Sequence, residues 1–212
     1  MGWLVMDMSN PARAVIPTLD ADVLRVLAGT TRPMTGHQVH RVAGVGSRQG
    51  VANVLARLVD VGLVHVTDAG SAYLYVLNRE HVAAPAVLAL QDLRGELFTR
   101  IRTTVEAWPV APLALSVFGS VARGDGSTAS DVDVLLVRPP GVPEDDPAWA
   151  AAVDGLRQGI LKWSGNTASI IEVTTDQVGD MVARGEPVVD SLRNDEVPLV
   201  GPGVLALVGA AA

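Results

Sequence analysis

Asp131 and Asp133 stand one residue apart at the head of the apolar run "DVDVLLV". An earlier apolar run ends in Phe118-Gly119-Ser120, and ten residues separate that Gly-Ser pair from Asp131. If "DVDVLLV" is a strand, its alternating side chains put Asp131 and Asp133 on one face. Two carboxylates that close repel unless a cation lies between them. Magnesium, or manganese, suits such a pair, because hard cations take oxygen ligands and often combine one or two carboxylates with substrate phosphates. Gly119 lets the backbone approach a phosphate closely, and Ser120 offers a hydroxyl and an amide at a helix start. A phosphate-cradling turn facing a carboxylate pair is what metal-assisted phosphoryl or nucleotidyl transfer needs. Arg123, in the same segment, either steers a triphosphate or pairs with Asp125 on the surface.

These residues need a core to hold them. The chain has 212 residues, 49% of them hydrophobic and 18% charged, which implies packed domains rather than disorder. Aromatics are only 4%, so Val, Leu and Ala must fill the core. With no cysteine there are neither disulfides nor thiolate-bound zinc. No basic segment followed by a long apolar run opens the sequence, and the tail "VLALVGAAA" is too short to span a bilayer. A cytoplasmic protein without membrane contact is expected. The net charge of −7 is unevenly shared: residues 1–80 come to +1 and residues 81–212 to −8. The acidic part should repel nucleic acid unless cations intervene; the first part should not.

Apolar spacing predicts a helix over 19–29, with Asp20 as cap and Gly29 as stop, and a short helix over 35–44. A longer helix follows Ser47, with Val51, Val54, Leu55 and Leu58 on its inner stripe. "LVHVTDAGSAYLYVL" alternates around a turn and predicts a hairpin. Three helices and a hairpin resemble a winged helix-turn-helix domain, over residues 18–78. Arg48, Gln49, Asn53 and Arg57 then face outward on the third helix. Arg, Gln and Asn can read base edges in duplex DNA, and Arg41 and Arg57 can touch phosphates. Such a module can equally serve protein interaction or dimerisation. Residues 80–107 carry one continuous helical pattern, a connector. Strands are expected at 113–118, 132–138 and 168–174, with helices at 148–163 and over "TDQVGDMVARG".

The combined motif, Gly-Ser, ten residues, then "DVD" and an apolar run, resembles the polymerase-beta type nucleotidyltransferase superfamily. "GSVARGDGSTASDVDVLLV" looks most like its minimal nucleotidyltransferase branch, with the resemblance covering 112–185. The resemblance implies that Gly119 and Ser120, with Arg123, hold nucleotide phosphates while Asp131 and Asp133 bind metal. It also implies a third carboxylate on a later strand, for which Glu172 in "SIIEVT" is the candidate, as metal ligand or as general base. The expected fold is α+β: a winged helix-turn-helix domain over 1–79, a linker helix over 80–109, and a nucleotidyltransferase fold over 110–212, with a small mixed sheet flanked by helices. The expected activity is magnesium-dependent transfer of a nucleoside monophosphate from a nucleoside triphosphate such as ATP. The acceptor is a hydroxyl on a protein, an RNA end or a small molecule. The alternatives are a DNA-binding transcriptional regulator or a toxin–antitoxin partner, with a nucleotide-sensing or inactive domain. A homodimer is a further expectation.

Overall fold

Helical spacing and strand alternation resolve into two groups of elements, each with its own core. The computed structural model describes residues 5–209. They divide into one unit of Asn10–Leu93 and another that holds the described residues before Asn10 and from Arg94 onward.

The first unit begins with a short 3-10 turn, Pro11–Ala14, and α1, Leu19–Ala28. Thr18, rather than the expected Asp20, is the N-cap residue of α1; Asp20 lies in the first turn and accepts from the Thr18 hydroxyl at 2.7 Å. β1, Met34–Thr35, leads into α2, Gly36–Ala43. Thr35 and Gln38 form a reciprocal capping box there, and Gly44, at φ 72°, ends the helix. α3, Arg48–Asp60, is capped by the Ser47 hydroxyl and buries Val51, Val54, Leu55 and Leu58. β2, Val64–Asp68, and β3, Tyr73–Leu77, form the expected hairpin, and β1 joins it in the antiparallel order β1-β3-β2. α4, Ala84–Gln91, completes the unit. Val23, Leu27, Val39, Leu55 and Val64 are among its core residues. The buried Asp22 carboxylate is paired, accepting from Asn10 Nδ2 at 2.9 Å and Arg13 Nη2 at 2.7 Å.

The single helix expected over 80–107 is two. Asp92 leaves helical geometry at φ −103°, ψ 19°, and its amide bonds back to Ala89. α5, Leu93–Glu106, starts afresh after it.

The second unit is a four-stranded mixed sheet between helices. Its elements, in order, are β4 Ala114–Phe118, α6 Gly119–Arg123, β5 Val132–Val137, α7 Pro147–Ser164, β6 Ala168–Val173, α8 Thr175–Arg184, α9 Pro187–Asp195, β7 Val197–Val200 and α10 Val204–Gly209. The strand order is β6-β5-β4-β7; only β5 and β6 are parallel, joined across α7. Alternation sorts β5 cleanly. Val132, Val134 and Leu136 pack on one face with Trp149, Val153 and Leu156 of α7 and Ile101 of α5. Leu135 and Val137 pack on the other with Ala114, Phe118, Val178, Leu192 and Val204. β7 carries Pro198 and lies at the sheet edge, where a missing amide is tolerated. No described helix is long and apolar enough to cross a membrane.

Candidate active site

β4 ends at Phe118, which pairs in register with Asp133 of β5. The next residue turns the chain into α6. Gly119 sits at φ +72°, and a Cβ there would lie 2.7 Å from Asp133 Oδ2. Glycine is therefore required twice, by its left-handed backbone and by the carboxylate against it. α6 is short and closes on Gly124. Arg94 Nη1 holds the end of that helix, donating to the carbonyls of Ala122 at 3.0 Å and Val121 at 3.4 Å. Ser120 is half-buried beside Gly126.

Asp131 and Asp133 share the face of Leu135 and Val137, as strand alternation requires. Asp131 is exposed, and its Oδ1 accepts a hydrogen bond from the Thr167 hydroxyl. Asp133 is half-buried and its side chain has no hydrogen-bond or ion-pair partner among the described residues. Burial, and then the charge of Asp131, push its pKa up. A carboxylate without a donor, beside a second carboxylate and a glycine that leaves its oxygen uncovered, suits one hard cation. Arg123 is already engaged: Nε donates to Asp125 at 3.1 Å and Nη1 to Asp195 at 2.5 Å. The hydrogen bonds to Asp125 and Asp195 raise its pKa further.

Glu172 does not join this cluster. β6 is an edge strand, and Glu172 is in register with Leu136, three positions along from the Asp133–Ser169 pair. That offset is about 10 Å along the strand. Being odd, it also reverses the face. Glu172 is exposed on the α7 side, where its Oε2 accepts from the Trp149 indole at 2.8 Å. The three-carboxylate set expected from sequence is thus corrected to two. The residues of β6 and its approach that share the aspartate face are Thr167, Ser169, Ile171 and Val173, none of them acidic. Among the described residues, no group of three or more His, Cys, Asp or Glu is placed to hold a metal.

Residues 99–188 match the family model of the nucleotidyltransferase domain. A crystal structure of a toxin-antitoxin with AMP-PNP resembles the chain at TM-score 0.36 and 13% identity, over 53% of this chain and 82% of that one. That likeness is too slight to argue from. No curated protein matches the chain. The α+β fold with a small mixed sheet accords with the nucleotidyltransferase domain.

Three residues near the nucleotidyltransferase motif escaped sequence reasoning. Thr167 touches Asp131 only because β6 pairs with β5, and Arg94 reaches α6 from 27 residues upstream. Asp195, 72 residues from Arg123, is likewise a tertiary partner. In the first unit, Arg48, Gln49 and Asn53 are exposed as expected, and Arg41 is exposed as well. Gln49 Nε2 donates to Asn53 Oδ1 at 2.8 Å, so the two present one joined polar surface on α3. Arg57, expected at a phosphate, is paired instead with Asp20 of α1.

Proposed function

We propose that Gly119, Ser120, Asp131 and Asp133 form a magnesium-dependent nucleotidyltransferase centre. It would move a nucleoside monophosphate from a nucleoside triphosphate such as ATP to an acceptor hydroxyl. The observation that carries this reading is the approach of the Asp133 carboxylate, unpartnered among the described residues, to Gly119, with Asp131 on the same face. When bound, the divalent ion would offset the two charges and polarise the triphosphate oxygens. Asp131 and Asp133 would hold it. Gly119 leaves room for a phosphate oxygen beside Asp133, and Ser120 adds a hydroxyl donor. Arg123 reaches a phosphate only by giving up Asp125 or Asp195, so its part is to steer rather than to clamp.

Calorimetric titration of ATP with and without magnesium tests the centre. Asp131→Asn combined with Asp133→Asn should abolish the magnesium-dependent component of binding. Unchanged metal-dependent binding in that variant would reject the assignment.

One observation favours a second reading, a nucleotide sensor that does not transfer. No acid on β6 shares the face of Asp131 and Asp133. Labelled-nucleotide transfer, assayed on proteins and RNA that co-purify with the chain, separates the two. Bound nucleotide without transfer supports the sensor.

The Asn10–Leu93 unit supports a nucleic-acid-binding role of the winged helix-turn-helix kind. Helix α3 would enter the major groove of duplex DNA, with Arg48, Gln49 and Asn53 at base edges and Arg41 at a phosphate.

A further inference from the structure

We infer that the Asn10–Leu93 unit carries a second phosphate-binding site, in the groove between the end of α1, the loop into β1 and the outer face of α2. The groove is open and has a volume of about 480 Å³, in the range of small-ligand sites. Arg25, Arg32 and Arg41 all line it, and no Asp or Glu does. These are three of the seven arginines in residues 1–80, a segment whose net charge is only +1. Their convergence is therefore local and not a reflection of a basic chain.

None of the three guanidinium groups makes an ion pair or hydrogen bond among the described residues. Most other arginines here do: Arg13, Arg57, Arg100, Arg123, Arg157, Arg184 and Arg193 each meet a carboxylate. Arg25 adds the sharper observation, for its Nε is buried and lacks any acceptor. A buried donor left unsatisfied is costly, and a turn of the Arg25 side chain towards an anion in the groove would relieve it. Gln38 and Arg41 lie three residues apart on α2, on one face of the helix. Gln38 Oε1 is taken by the Thr35 amide, which leaves its Nε2 hydrogens to donate. Thr30 adds a hydroxyl at the loop. Val26 and Met34 give the lining an apolar part. Forked guanidinium donors without a competing acid suit the several oxygens of a phosphate or polyphosphate.

Such phosphates come from two sources, a free nucleotide or a nucleic-acid backbone. Anion binding in the groove does not rest on the nucleic-acid reading above; only the backbone arm of the test touches it. Inorganic tripolyphosphate is titrated into the full chain by calorimetry, in EDTA at low salt. Without metal, Asp131 and Asp133 repel this probe and stay silent. In parallel, a labelled duplex of arbitrary sequence is titrated by fluorescence anisotropy.

Saturable tripolyphosphate binding that falls at least about tenfold in Arg32→Gln with Arg41→Gln is expected, the scale of one charge-assisted hydrogen bond. Both arginines are exposed, so the fold should survive, which thermal unfolding checks. Duplex binding that is competed by tripolyphosphate, or bound alone, and lost in the arginine variant assigns the groove to a backbone. Tripolyphosphate bound without duplex assigns it to a free nucleotide. Binding of neither probe at low salt, or equal binding by the arginine variant and the parent chain, overturns the inference.

Discussion

Gly119→Ala isolates the contact on which the proposed nucleotide site rests. The backbone there is at φ +72°, a region that costs a residue with a Cβ about 1–2 kcal/mol. Gly185→Ala is the matched control: φ is +62°, and a new Cβ meets nothing within 4 Å. Both substitutions therefore carry the backbone cost, and urea unfolding should show a loss of about 1 kcal/mol for Gly185→Ala. The two differ in what the methyl group meets. At Gly119 it would lie 2.7 Å from Asp133 Oδ2, well inside van der Waals contact. Either the carboxylate swings away or the turn shifts. A contact to a charged group that is lost in this way is worth about 1.5–3 kcal/mol. Magnesium-dependent ATP affinity, measured by calorimetry, should thus fall tenfold or more in Gly119→Ala and stay level in Gly185→Ala. Equal affinities in the two variants would refute the argument, because the Asp133–Gly119 contact would then have no bearing on nucleotide.

Asp133→Asn should stabilise the metal-free protein at neutral pH. Burial and Asp131 raise the folded pKa above the ordinary 3.8, so between those values the folded state binds more protons and its stability falls as pH rises. The advantage of the Asn variant should then shrink as pH falls through the raised folded pKa towards 3.8 and be gone below it, which thermal unfolding in EDTA across the acid range would show. Glu172→Gln should change magnesium-dependent ATP affinity less than about twofold, since Glu172 faces α7; Glu172→Ala should cost about 1 kcal/mol in urea unfolding through loss of the Trp149 hydrogen bond.

The Gly-Ser turn and the aspartate pair were legible because their geometry is local. Alternation alone puts Asp131 and Asp133 on one face, whatever the rest of the chain does. The hairpin and the Ser47-capped α3 were legible for the same reason, each carrying its period and its stop signal within a few residues. The broken connector was not. Apolar residues continue in helical phase across Asp92, so nothing in the pattern marks the point where the backbone leaves the helix. Short elements with proline, β7 above all, offer too few residues for a period to show.

Glu172 failed for a different reason, and it bears on function. Strand "ASIIEV" has isoleucines at both 170 and 171, so both faces are apolar and the alternation has no readable phase. Only pairing with β5 sets that phase, and one residue of slip would carry every side chain to the opposite face. The register places Ser169 beside Asp133 and turns Glu172 to Trp149. A hydroxyl beside the aspartate pair can ligate or donate but brings no charge, so a single cation there would be held by two carboxylates and by the nucleotide's own phosphates. Such a site would be weak without nucleotide and strong with it. That property serves transfer and sensing alike, which is why the transfer assay, and not a metal-binding constant, separates them.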